Sequence, residues 1–180
     1  DNISVKEAPA IKWAPHNLLP ETALNVDNLT QSGDALVCSA GTNIRARVRQ
    51  NVGLGDFAKA TFEAKLKQGD FPRLIIKSAS SNFRSVFSFD TGEFTALTSG
   101  VLNSEVSSPD ADGFYAVRIE FTSASGDDTL DLQVSNGSPT ATDDVVTTLG
   151  GEIGWQMKQA RTYRSDLGGM VDNPARGDSY

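Results

Sequence analysis

Apolar residues recur at every second position through most of this chain, and that period leaves few folds open. In "FAKATFEAKLKQG", Ala58, Ala60, Phe62, Ala64 and Leu66 share one side, opposite Lys59, Thr61, Glu63, Lys65 and Lys67. A helix would repeat its apolar residues every third or fourth position, so strand is preferred although Ala, Glu, Lys and Leu favour helix by propensity. The same period sets Ile44, Ala46 and Val48 against Arg45, Arg47 and Arg49 in "NIRARVRQNV". It groups Phe83, Ser85, Phe87 and Phe89 in "FRSVFSFDTGEF", and Tyr115, Val117, Ile119 and Phe121 in "FYAVRIEFTSA". It groups Leu130, Leu132 and Val134 in "TLDLQVS" and loosens around Trp155 and Met157 in "EIGWQMKQARTY". Gly- and Asp-rich turn signals separate these runs, as at Asp90–Gly92, Asp110–Gly113 and Gly150–Gly151. Short strands with one apolar face, punctuated in this way, predict an all-β domain: an antiparallel two-sheet β-sandwich.

The 180 residues fit one domain with tails. In "DNISVKEAPAIKWAPHNLLP", Ile3 and Val5 alternate as in a strand, and Pro9, Pro15 and Pro20 then impose an extended linker. The expected division is a strand and linker over 1–20, closing a preceding module of a longer protein, and the sandwich over 21–164. Over 165–180, "SDLGGMVDNPARGDSY" reads as an irregular exit rich in Gly, Asp and Asn.

Charge and composition narrow the function. A net charge of −7 argues against nucleic acid as a partner. No run is long and apolar enough to insert in a membrane, and the first twenty residues lack the pattern of a secretion signal. Cys38, the single cysteine, alternates with strand-like neighbours in "ALVCSA" and is expected as a buried small hydrophobe. The single histidine, His16, lies in the proline-flanked linker, which removes triads and zinc sites built on imidazole. The carboxylates Asp110, Asp112, Asp127, Asp128, Asp143 and Asp144 sit in turns, and no spacing selects a glycosidase pair. Nor does any loop place ligands at every second position as a calcium loop would. The expectation is a protein that is not an enzyme and needs no cofactor or metal.

The sharpest polar feature is the arginine alternation. Arg45, Arg47 and Arg49 fall on one face, about 7 Å apart at the rise of a strand. Each guanidinium is a planar fork of donors suited to carboxylates, sulfates and sugar hydroxyls. With Lys59, Lys65 or Arg84 alongside, the face would become a platform for an acidic polymer. The competing reading is a solvated sheet face whose charges pair among themselves. Trp155 sits among core-pattern residues, and Trp13 is expected to tack the linker onto the domain. "RGD" at Arg176–Asp178 is too short to carry weight, and "GGEIG" lacks the strand and helix of a phosphate loop.

Several phrases resemble modules repeated in bacteriophage tail fibres and head-spike fibres. "KWAPHNLLP" at Lys12–Pro20 is similar to their lead-in, and "FSFDTGEF" at Phe87–Phe94 to their mid-domain hairpin. "DGFYAVRIEFTSASG" at Asp112–Gly126 resembles a strand pair after a Gly-aromatic turn, and "YRSDLGGMVDNPARGDSY" at Tyr163–Tyr180 their exit. "DNISVKE" is similar to the last strand of carbohydrate-binding jelly-roll modules. The resemblance implies a jelly roll in a virion fibre, often a homotrimer among other virion proteins, that attaches the particle to host-surface polysaccharide. Arg45, Arg47, Arg49 and Arg84 are the expected ligand-binding residues, and a spacer or collar without a ligand is the alternative. One departure stands out: in "MKQART" at Met157–Thr162, Lys158 and Gln159 occupy the place of the family's Trp-Gly.

Overall fold

The computed structural model describes residues 24–51, 59–78, 83–122, 129–137 and 145–164. The expected 1–20 and 165–180 segments lie outside them, as do Trp13, His16, Ala58, Asp127, Asp128, Asp143, Asp144 and the Arg176–Asp178 tripeptide. The described residues form antiparallel strands and no helix, so the all-β expectation holds.

Sheet I runs in the spatial order β1 (Leu24–Asp27), β5 (Arg47–Asn51), β12 (Thr129–Ser135), β7 (Arg73–Ser78), β8 (Arg84–Ser88) and β9 (Glu93–Ala96). Sheet II runs β10 (Val101–Val106), β11 (Tyr115–Thr122), β6 (Lys59–Gln68), β14 (Ile153–Arg164), β3 (Ala35–Cys38) and β2 (Leu29–Ser32). A small third sheet pairs β13 (Val146–Thr148) with β4 (Gly41–Ile44).

Alternation decides which side chains enter the interior. Ala60, Phe62, Ala64 and Leu66 of β6 are buried, as are Val117, Ile119 and Phe121 of β11 and Leu130, Leu132 and Val134 of β12. These residues belong to one core cluster fed by both large sheets. Phe83, just ahead of β8, stacks on Phe121 of β11 with centroids 4.2 Å apart, and Phe87 meets the edge of Tyr115 at 5.5 Å. Trp155 and Cys38 are buried as expected. Each large side chain so enclosed contributes roughly 1.5–3 kcal/mol. Gly154, between β14 positions that shift register, lies close against the other sheet. A Cβ built there would lie 2.9 Å from Val134 Cγ1 of the other sheet, so any side chain would push β14 off β12.

Two departures from the expected strands have local causes. Instead of one strand through Ile44–Val48, the chain breaks at Arg45 and Ala46, and β4 leaves for the third sheet while β5 joins sheet I. The Asn28 side-chain amide donates to the Arg45 carbonyl at 2.9 Å, and Val134 N–H donates to Ala46 O at 3.0 Å, which pins the change of partner. In β14 a register shift between Lys158 and Arg161, with Gln159 at φ 52°, accounts for the loosened alternation of "QMKQART". Strands β10 and β13 carry too few apolar residues to announce themselves.

Candidate functional site

The face of sheet I turned away from the core gathers residues from strands far apart in sequence. Register places them in rows. One row runs Arg49, Asp131, Lys77, Arg84; the next runs Asp27, Arg47, Gln133, Ile75, Val86, Thr95; the third runs Ser135, Arg73, Ser88, Glu93. Arg45 is exposed and lies just ahead of β5, outside the paired rows. Of the four arginines expected from the sequence, register therefore places Arg47, Arg49 and Arg84 on one face. Arg84 is three strand spacings from Arg49, roughly 14 Å, with Asp131 and Lys77 between. Lys59 and Lys65 lie on β6 in the other sheet and do not join them.

Pairing divides the arginines. Arg49 grips Asp131 side-on, Nε to Oδ1 at 2.7 Å and Nη2 to Oδ2 at 2.8 Å. Arg47 donates from Nε to Asp27 Oδ2 at 2.7 Å and sets Nη1 3.5 Å from Asp131 Oδ2. The hydrogen bond to Asp131 pushes the Arg49 pKa up, with the Asp131 and Asp27 charges adding to it against desolvation. Asp131 is wholly buried, so these two cations hold a carboxylate that would otherwise be stranded out of water.

The third row carries a cation of another kind. Arg73 Nη1 donates to the Gly137 carbonyl at 2.8 Å, and Gly137 N–H donates to Ser135 Oγ at 3.0 Å. Arg73 makes no ion pair among the described residues, and its Nε is buried without a hydrogen-bond partner. Ser88 Oγ, directly opposite on β8, is likewise buried and unpartnered. Much of this face is hidden: Ile75, Gln133 and Ser135 have no exposure, Val86 has 1 %, and Lys77 and Ser88 have 7 % each. Of the competing reading, the pairing of charges among themselves is seen at Arg47 and Arg49, while the solvation is not seen in the middle of the face. No aromatic side chain stands in these rows, so sugar stacking has no platform among the described residues here.

Asp131, Gln133, Arg73, Lys77 and Ser88 were not singled out from the sequence. "TLDLQVS" does show polar residues alternating with apolar ones. Which strands flank it is a tertiary fact, and β5, β12 and β7 are not consecutive in the chain.

The opposite outer face, on sheet II, closes its own circuit. Arg118 reaches Glu120 at 2.6 Å, Glu63 at 3.3 Å and Glu105 at 3.5 Å, while Arg161 donates from Nε to Glu63 at 2.6 Å. Lys158 Nζ lies 4.3 Å from the centre of the Phe114 ring and 3.4 Å from Asp34.

The carboxylates elsewhere do turn work. Asp110 Oδ1 accepts from the Phe114 and Asp112 backbone N–H groups at 3.0 and 3.1 Å, and Lys65 reaches Oδ2 at 3.1 Å. The Phe114 hydrogen bond, then Lys65, holds this carboxyl below its ordinary range. Glu152 is lowered too, chiefly by the Leu149 N–H at 2.8 Å. No three His, Cys, Asp or Glu side chains converge on a metal-sized site among the described residues. Against known proteins, no family model matches this chain and no curated protein matches it.

Proposed function

We propose that this chain is a non-enzymatic adhesion module that binds surface polysaccharide through the outer face of sheet I. The observation that carries the reading is the concentration of cations there. Among the described residues, Arg47, Arg49, Arg73, Lys77 and Arg84 share the face with Asp27, Asp131 and Glu93, with exposed Arg45 just ahead of β5, in a protein of net charge −7. A basic strip on an acidic protein favours an anionic partner and repels wrong ones. Among the described residues, the carboxyls with displaced pKa values, Asp110 and Glu152, move downward, opposite to the shift a general acid needs.

The proposed architecture is a jelly-roll sandwich. Support comes from the chain's crossings: β5 in sheet I is followed by β6 in sheet II and β7 in sheet I, and β11, β12 and β14 alternate likewise. Such crossings wrap two sheets around one core. The phage-fibre phrases add the setting: a virion tail or capsid-vertex fibre, trimeric with other virion proteins, in which many weak sites act together.

One observation favours the spacer or collar reading: Arg47 and Arg49 are committed to Asp27 and Asp131, as in a self-contained face. The test is binding of host-surface polysaccharide to the protein displayed multivalently on beads, with Arg45→Ala and Arg84→Ala beside the native chain. Those two positions are preferred because changing Arg47 or Arg49 would strand Asp131. Retention that drops in the double variant supports adhesion. No retention at any density leaves the spacer.

A further inference from the structure

We propose that β13 is a self-pairing edge, at which two copies of this chain meet about a two-fold axis through Thr147. The inference goes beyond the adhesion reading and does not depend on it. It begins with exposure. Three large hydrophobic side chains are exposed among the described residues, and two of them flank β13: Val145 at 43 % and Leu149 at 90 %. Thr147 between them is exposed too, while Val146 and Thr148 are buried. Val145, Thr147 and Leu149 therefore form a strip on the uncovered side of the strand.

The turn that carries Leu149 is already fixed. Leu149 N–H donates to Glu152 Oε1 at 2.8 Å, Gly151 N–H to Cys38 O at 3.0 Å, and Cys38 N–H to Glu152 O at 2.7 Å. Gly150 and Gly151 take φ values of 92° and 97°, which glycine adopts without strain. From the inner side, Thr148 Oγ1 donates to Ser39 O. An apolar side chain presented on such a frame loses little freedom when a partner covers it.

The strand beside this turn has an open edge. Among the described residues β13 is paired on one side only, with β4. The unpaired side of a strand is a template for another strand, and proteins that keep an edge to themselves mark it with charge, proline or a bulge. Such marks are found on Asp27-bearing β1, on Glu93-bearing β9, and on β10, which has both Glu105 and a register shift. On β2 the exposed residues, Thr30 and Ser32, are polar. β13 has none of these features. Ile44 to Gly41 on β4 opposes Val146 to Thr148 on β13, so the extra residue belongs to β4, where Asn43 takes φ 54°, and β13 keeps its regular alternation.

A second copy is the occupant that fits. Antiparallel pairing of β13 with itself about Thr147 sets Val145 opposite the second copy's Leu149 at both ends, and Thr147 opposite Thr147. Cross-strand pairs of these types are favourable. Charge favours the same contact: each copy carries −7, and neither Ser39–Ile44 nor Val145–Gly151 contains a charged residue. A strand this short gives a transient contact at the low end of interface sizes. A two-fold here is compatible with a three-fold elsewhere on the chain, as in dihedral assemblies.

The test is sedimentation equilibrium of the full chain over about 10 µM to 1 mM. The native protein is expected to pass from 19.2 kDa to twice that mass, with a Kd of roughly 100 µM. Thr147→Lys and Thr147→Glu each set like charges face to face on the axis and should stay monomeric. An equal mixture of the two should regain the pair, because only a two-fold brings position 147 against itself. Leu149→Ser should weaken association roughly 10-fold. Thermal melts of dilute samples check that the variants fold, and should those at Thr147 melt early, Leu149→Ser decides. A native chain that remains monomeric overturns the proposal. So does association that Thr147→Lys and Leu149→Ser leave unchanged, or open-ended growth in place of a pair.

Discussion

On sheet II, Arg118 stands among Glu63, Glu105 and Glu120 with every partner at least a fifth exposed; on sheet I, Asp131 lies beneath Arg47 and Arg49 with no exposure at all. Both faces arise from the same alternation, and both bring arginine beside acid. Water makes the difference. Exposed ion pairs exchange one hydrated state for another and are worth about 0–1 kcal/mol each. A buried carboxylate has lost its hydration and depends on its partners, so removing either side is costly. Identical residue types therefore give a soluble rim on one sheet and a rigid polar interior on the other.

Substitutions can break that contrast or sharpen it. The largest effect is expected at Asp131: Asp131→Ala leaves two guanidiniums without their shared acid and should cost about 3 kcal/mol, read by urea unfolding. If it costs no more than a surface change, sheet I's face is as wet as sheet II's. Close behind is Ile75→Ala, which opens a void on a face expected to be solvated. About 2–3 kcal/mol is predicted, against a few tenths for exposed Leu102→Ala on sheet II's edge strand.

Smaller is Glu63→Gln, which removes the acid shared by Arg118 and Arg161. About 1 kcal/mol or less is expected, shrinking further in 1 M salt, whereas the Asp131→Ala loss should change little with salt. Acid titration sharpens the same point. Asp110 and Glu152 have lowered pKa values, so the stability they add is present above the ordinary carboxylate range and disappears as pH falls through their folded values. Thermal melts should therefore decline on the acid side, and Asp110→Asn should flatten part of that decline.

Cys38 supplies the alkaline counterpart. Burial, then the Glu152 and Asp70 charges, pushes its thiol from 9.0 up to about 11. Below pH 9 it is protonated folded or unfolded, and above that the unfolded chain gains a thiolate the fold cannot hold, so stability falls until about pH 11. At neutral pH a disulfide reagent should leave Cys38 untouched until denaturant is added. The smallest effect belongs to Leu149, 90 % exposed on the turn before β14: Leu149→Ser should move the melting midpoint by less than experimental scatter.

Legibility followed the same divide. Strands with a strict period, such as β6, β11 and β12, could be read with their buried faces, because one apolar side must be covered whatever the partner. Around Trp155 and Met157 the reading blurred, since register shifts on either side, between Ile153 and Trp155 and between Lys158 and Arg161, break the alternation. For the site, Arg45, Arg47, Arg49 and Arg84 could be placed on strand faces, but their acids could not. Asp131 lies 82 residues from Arg49, and nothing local marks it as the carboxylate that Arg49 will hold.

By itself, then, the order of residues settled that this chain is built from strands, which side of each is apolar, and that arginine lines one of the polar sides. Side-chain direction in a strand is a local property with a period of two, and local properties are written in adjacent residues. Only the tertiary structure decided which strands became neighbours, that Asp131 would be enclosed, and that Arg73 would stand opposite Ser88. Pairing between distant strands, and the water it excludes, depends on the whole chain at once.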